Sequence, residues 1–202
     1  MTPGPNLIRE CYRCQKRFAE PTINSGNTFG AVYWTDGKCE ARMLPDTAAL
    51  VKCAHCKKLV WLDDAPVRGE EEPFRLDKQT PVYIPLQELD FWIALRAGAA
   101  STREQQLYTR VRLWWVGNDQ FRRASSSAAH TPLQRSNMEA LFADLLETSE
   151  EERLAKAELA RELGRMEEAV RLLQGPASAA HNRYAARLSE LTQQGRTQVE
   201  AF

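Results

Sequence analysis

Four cysteines, arranged as two short pairs, are the residues of this chain best placed to do chemistry. Cys11-Tyr12-Arg13-Cys14 and Cys53-Ala54-His55-Cys56 each hold two thiols three positions apart. A Cys-x-x-Cys turn sets two sulfurs along one edge of a tetrahedron, and two such turns complete the four-thiolate cage that zinc(II) favours. Cys11, Cys14, Cys53 and Cys56 are therefore read as one structural zinc site. Four thiolates close the coordination sphere, whereas a catalytic zinc keeps a position open for water. Iron suits the same four-sulfur cage. A redox dithiol should follow a strand and open a helix within a βαβ unit, and that pattern surrounds neither pair. Cys39, just after a predicted hairpin turn, is read as a free thiol. His55, inside the second pair, is read as an outward-facing turn residue.

Beyond the thiols the chemical inventory is thin. The three histidines, His55, His130 and His181, fall in no nucleophile or metalloprotease motif. Ser25-Gly26-Asn27-Thr28-Phe29-Gly30 lacks the lysine of a phosphate-binding loop. No enzymatic activity is expected. Trp114 and Trp115, with Arg110, Arg112, Arg122 and Arg123 around them, form the candidate partner-binding patch, because Trp and Arg are over-represented at interface hot spots. On a helix stripe the same tryptophans also serve as core. Lys16-Arg17 and Lys57-Lys58 follow the cysteine pairs directly. They could touch phosphates, or simply offset the net negative charge of zinc with four thiolates.

The elements that must position these residues are legible in part. A hairpin is expected from Thr28 to Leu44, turning at Asp36-Gly37, since Asp-Gly supplies the positive φ angles of a two-residue primed turn. Its strands are expected to join a small sheet that brings the cysteine pairs together, with Leu59-Val60-Trp61-Leu62 as another strand. Residues 65–85 carry Glu70-Glu71-Glu72 and prolines at 66, 73, 81 and 85, and read as an extended acidic connector. Helices are expected from Leu86 to Ala100, with Leu89, Trp92, Ile93 and Leu95 apolar, and again from a capping box at Ser101-Thr102-Arg103-Glu104. The second places Leu107, Tyr108, Val111, Trp114 and Trp115 on one face. Ala124 to Pro132, with Ser125-Ser126-Ser127, reads as a linker. Further helices carry Met138, Leu141, Phe142, Leu145 and Leu146, then Leu154, Leu159 and Leu163 to Gly164, then Glu167 to Leu173. A last helix is expected over Ala177 to Ala201.

Composition narrows the function classes. The chain has 202 residues, with 27 basic against 27 acidic side chains. A dedicated nucleic-acid binder usually carries a basic excess, so the balance disfavours that class. The charge is uneven along the chain: residues 1–60 hold nine basic and five acidic residues, and 61–90 hold three and eight. No apolar run reaches the roughly 20 residues needed to span a bilayer, and Met1-Thr2-Pro3-Gly4-Pro5-Asn6 lacks the form of a signal peptide. A cytoplasmic location is expected, where five cysteines serve as ligands or free thiols rather than disulfides.

Over residues 8–62 the two pairs resemble the knuckles of zinc ribbons and rubredoxin-like domains. Those knuckles often place Gly after the second cysteine, where φ is positive. Here Gln15 and Lys57 stand there, at about 1 kcal/mol each if the backbone is left-handed. Leu159 to Leu173 resembles the turn and second helix of a tetratricopeptide-type repeat: Gly164 ends the first helix, Met166 follows two positions on, and Ala169 is the small residue of the second. Arg153 and Lys156 stand where that family has large apolar residues. The expected fold is α+β: a β-rich zinc ribbon (1–64), the connector (65–85) and an all-α, tetratricopeptide-like domain (86–202). The expected function is a non-enzymatic, Zn2+-binding protein–protein interaction module, an adaptor or a toxin-neutralising immunity protein, whose partner is another protein. The alternative is a zinc-ribbon nucleic-acid-binding factor.

Overall fold

The computed structural model describes residues 1–73, 80–122, the backbone of Arg123, and 129–202. The expected serine linker lies largely outside the described residues, as does the middle of the acidic stretch. In chain order the strands are β1 (Thr2–Pro3), β2 (Asn6–Glu10), β3 (Arg17–Glu20), β4 (Ile23–Ser25), β5 (Val32–Tyr33), β6 (Cys39–Glu40), β7 (Leu50–Lys52), β8 (Leu59–Trp61) and β9 (Val67–Glu71). The helices are α1 (Glu88–Arg96), α2 (Arg103–Arg123), α3 (Pro132–Asp144), α4 (Glu150–Glu162), α5 (Met166–Leu173) and α6 (Asn182–Gln193). Small antiparallel sheets followed by helices make the class α+β. The chain divides into two compact units, one of Met1–Ala31 with Glu40–Asp90, the other of Val32–Cys39 with Phe91–Phe202.

In the first unit two strand–knuckle–strand hairpins, β2–β3 and β7–β8, carry the cysteine pairs at their turns. Ile8 and Ala19, opposite each other in the register, are buried on one face of β2–β3 and Phe18 on the other, and Val51 and Val60, also opposite, are buried in β7–β8. Phe18, Val51, Val60, Leu62 and Ala65 pack with Cys11 and Cys53 into one core. The acidic stretch differs from expectation. Residues 67–71 form β9, a third strand beside β2 in the register Asn6↔Glu71 and Leu7↔Glu70. Residues 81–84 then lace the hairpins together: Ala19 N–H donates to Pro81 O at 2.9 Å, and Lys52 and Ile84 exchange two hydrogen bonds of 2.9 Å. Proline forbids a helix here, but extended backbone that avoids helix is also free to pair.

The expected hairpin is present as β5–β6, with two corrections. Its strands form a sheet of their own, separate from the strands that carry the cysteines. Its turn is a three-residue loop: Gly37 N–H donates to Trp34 O, Trp34 N–H donates to Lys38 O, both at 2.9 Å, and Gly37 has φ 81°. Asp36 keeps a negative φ, so only the glycine is left-handed and the primed turn does not form.

The second unit holds that turn among its helices. Trp115 Nε1 donates to Asp36 O at 2.9 Å, Asn118 Nδ2 donates to Asp36 Oδ2 at 2.9 Å, and Arg122 pairs with the same carboxylate. Tyr184 Oη donates to Thr35 O at 2.6 Å, and Thr35 N–H donates to Glu200 O at 2.9 Å. Trp114, Met138, Leu141, Leu145, Leu159 and Leu163 make the apolar core. Small Ala157, Ala160 and Ala169 let α4 and α5 approach closely. Gly164, at φ 80°, closes α4 with paired bonds: its N–H donates to Arg161 O, and Arg165 N–H to Ala160 O.

The remaining departures are local. The α2 cap is Thr102 with Gln105, one residue on from Ser101 and Glu104, because it is Thr102 Oγ1 that accepts the Gln105 N–H at 3.2 Å. On α1 Phe91 and Ala94 are buried while Leu89 and Ile93 are exposed. Leu146 is also exposed. The last helix is shorter than expected, since Gly195 at φ 65° turns the chain out of it. Arg153, at the apolar position of a tetratricopeptide helix, is buried and donates to Leu172 O and Pro176 O at the end of α5. Gly175 makes this geometry possible, because a Cβ there would lie 2.8 Å from the Arg153 guanidinium.

Candidate metal centre

Each cysteine pair is a local fold before it is a site. In the first, Gln15 N–H donates to Cys11 O at 2.7 Å and Cys11 N–H to Lys16 O at 3.0 Å. In the second, Lys57 N–H donates to Cys53 O and Cys53 N–H to Lys58 O, both at 3.0 Å. Gln15 and Lys57 both have φ 60°, the left-handed conformation that glycine supplies most cheaply. The two turns are therefore copies of one geometry, closed by the same pair of hydrogen bonds.

The strands bring those turns face to face. Arg9 on β2 donates to Leu62 O at 2.7 Å and to Ala65 O at 2.8 Å, tying the first hairpin to the chain leaving the second. Glu20 holds the Arg9 guanidinium from the opposite side. As a result Cys11 Sγ lies 3.9 Å from Cys56 Sγ, and Cys14 Sγ lies 3.8 Å from Cys53 Sγ. All four sulfurs fall within 4.8 Å of one another, with Cys11 and Cys53 buried and Cys14 and Cys56 half-buried. No cysteine is in a disulfide. The group could hold a metal ion.

The electrostatics suit a cation at the centre. Burial pushes the Cys11 thiol up to about 12, although the Arg13 and Cys14 N–H groups favour its thiolate. The Lys16 N–H, the largest influence on Cys14, brings that thiol down to about 7 despite some burial. Burial raises Cys56, against the Lys58 N–H. The His55 N–H lies 3.4 Å from Cys53 Sγ. Backbone donors are thus aimed at the sulfurs while burial opposes bare thiolates at Cys11 and Cys56, and a metal cation held there would resolve that conflict by carrying the charge itself.

His55 and Cys39 stand apart from the cluster. The His55 ring is exposed, with Nε2 2.8 Å from Arg17 O. Cys39 belongs to the second unit. Of the candidate partner patch, Trp114 is buried and donates to Glu162 at 3.0 Å, and Arg122 is buried against Asp36 and Asp119. Trp115 is half-buried under Arg112, and Arg110 reaches Asp144 at 3.0 Å. These five residues build the interior and flank of the second unit. The sequence left unmarked the struts that position the thiols, Arg9 and residues 81–84. A cation in an alternating apolar strand, as at Arg9, is the one signal that could have pointed to them.

Glu150, Glu151 and His181 form a second close trio. Glu150 and Glu151 open α4, where the helix dipole favours carboxylates and opposes a cation. Glu150 already accepts the Ser178 N–H at 2.6 Å and pairs with His181 at 3.1 Å. We assign this trio to helix capping.

Comparison with protein-family models, with curated proteins and with solved structures returned no match. Among the described residues no helix is long and apolar enough to cross a membrane.

Proposed function

We propose that the four-cysteine cluster is a structural zinc centre, and that the protein is a non-enzymatic module that binds another protein. One observation carries the first part. Sulfurs on a zinc ion at ~2.3 Å in a tetrahedron are separated by about 3.8 Å, and the cross-pair separations are 3.8 and 3.9 Å. The ion enters with little rearrangement. Cys11, Cys14, Cys53 and Cys56 would hold it, Arg13, Lys16, His55 and Lys58 would stabilise the thiolates through their N–H groups, and the chemistry supplied is cross-linking of two hairpins. A donor set of four sulfurs leaves no position for water or substrate, which supports a role without turnover.

The protein-binding part rests on the second unit. The α4–α5 helical pair, closed at Gly164, resembles a single tetratricopeptide-type unit, and helical scaffolds of that kind present side chains to other proteins. An adaptor and a toxin-neutralising immunity protein share this form. A reducing cytoplasm, which keeps thiols available for metal, is the proposed location. The test is capture from native lysate on the intact, metal-loaded protein, with mass spectrometry of what is retained. A specific, stoichiometric protein partner supports the reading. Turnover of an ester, phosphoester or peptide by the purified protein would overturn it.

A further inference from the structure

The cysteine turns of the first unit carry a basic patch. The two knuckle turns, residues 11–17 and 53–58, contain Arg13, Lys16, Arg17, Lys57 and Lys58 and no acidic residue. All five are exposed, and among the described residues no carboxylate pairs with any of them. The register of β2 with β9 places Glu70 and Glu71 beside Leu7 and Asn6, at the end of the sheet away from Cys11. Glu10, opposite Arg17 in the β2–β3 register, is the carboxylate nearest the turns and is held by Arg68 at 3.0 Å, and its N–H donates to Pro66 O, which brings the chain that follows Asp63 and Asp64 to the same level. Strand rise separates Glu70 and Glu71 from the cysteine turn by about 15 Å, more than the Debye length of ~8 Å at physiological salt.

Compensation of the metal centre does not use up this charge. A zinc ion with four thiolates carries two net negative charges, so five cations exceed what it needs. The patch is small and bounded. A nucleic acid presents a phosphate every ~3.4 Å along each strand, and binds single strands through open aromatic faces. Here the exposed aromatic, Tyr12, already has the Arg13 guanidinium over its ring at 5.3 Å. The three lysines act as point charges that attract any anion, so the small, bounded extent of the patch is what favours a short acidic segment over a nucleic acid.

We propose that the knuckle end of the first unit docks a short acidic segment of the protein partner. This rests on the protein-binding reading above and names the chemistry of the partner.

The test uses the full-length, metal-loaded protein and a fluorescein-labelled octaglutamate peptide, read by fluorescence anisotropy at 50 and 300 mM salt, beside an eight-nucleotide oligothymidylate. Saturable peptide binding that weakens at least tenfold at the higher salt is expected. Lys16→Glu/Arg17→Glu/Lys58→Glu should abolish it, Lys16→Gln/Lys58→Gln should weaken it several-fold, and Arg183→Glu, exposed on α6, should leave it unchanged. Metal content and the thermal midpoint confirm that each variant is folded. No saturable peptide binding, binding untouched by the charge reversals, or tighter binding of the oligothymidylate would each overturn the proposal. If the triple variant still captures the lysate partner undiminished, this inference fails while the protein-binding reading stands.

Discussion

Asp36→Ala should destabilise the second unit by about 3 kcal/mol. The Asp36 carboxylate accepts from Asn118 Nδ2 at 2.9 Å and from the Lys38 N–H at 3.2 Å, and it pairs with Arg122. Its side chain is 0 % exposed and that of Arg122 is 2 % exposed. Removing one half of a buried ion pair costs about 3–5 kcal/mol, because the other charge is left without compensation. Asp119, 2.6 Å from Arg122 Nη1 and 25 % exposed, keeps part of that compensation, so the low end applies. Three kcal/mol is about a 150-fold change in the folding equilibrium. Burial also raises the Asp36 carboxyl above its ordinary value, with Arg122 opposing the rise. The intact pair is therefore a modest net contributor, and the loss comes from the stranded guanidinium. It follows that Asp36→Ala/Arg122→Met should be more stable than Asp36→Ala alone. Urea titration followed by helical circular dichroism reads both. A single variant within 1 kcal/mol of wild type, or a double variant less stable than the single, would refute the argument.

Three further outcomes are expected. Lys57→Gly should raise the stability of the metal-loaded first unit by about 1 kcal/mol at most, since the residue sits at φ 60°, and its thermal melt measures this. Gly164→Ala should cost about 1 kcal/mol in urea titration: φ is 80°, nothing lies within 4 Å of an added Cβ, and the penalty is conformational rather than steric. Burial lowers His130 from 6.5 to about 4, so between those values the unfolded chain binds a proton that the folded chain does not. Its contribution is complete above pH 6.5 and is lost as pH falls to 4, by about 3 kcal/mol as an upper bound. Unfolding measured across that window should show this slope in wild type and lose most of it in His130→Gln.

The cysteine pairs were readable because metal ligation depends on residue type and short spacing, and both are explicit in a sequence. The helices from α2 to α5 were readable because apolar residues recur along them at the spacing of 3, 4 and 7, and because Gly164 ends α4 in a left-handed conformation that glycine adopts without steric cost. The rest depended on pairing at a distance. Nothing local in Val67 to Glu71 announces a strand; β9 exists because β2 offers it an edge. The β5–β6 turn looked like part of the ribbon, yet Asp36 and Thr35 find their partners on α2, α6 and the C-terminal segment. Arg122 is expected at a partner-binding surface, and nothing in the sequence sets Glu158, Arg161 and Glu162 apart from other helix charges. Each is buried or nearly so, with Glu158 and Arg161 bonded at 2.6 and 2.7 Å. Charge at an amphipathic position signals solvent only when no complementary charge is folded against it.

The central claim is that a metal ion joins the two knuckle turns. Elemental analysis of freshly purified protein, repeated on Cys11→Ser/Cys56→Ser, tests it most directly. One zinc per chain in the wild type and none in the double variant is the predicted result. Metal-free wild-type protein whose melting is unchanged by a chelator would contradict it.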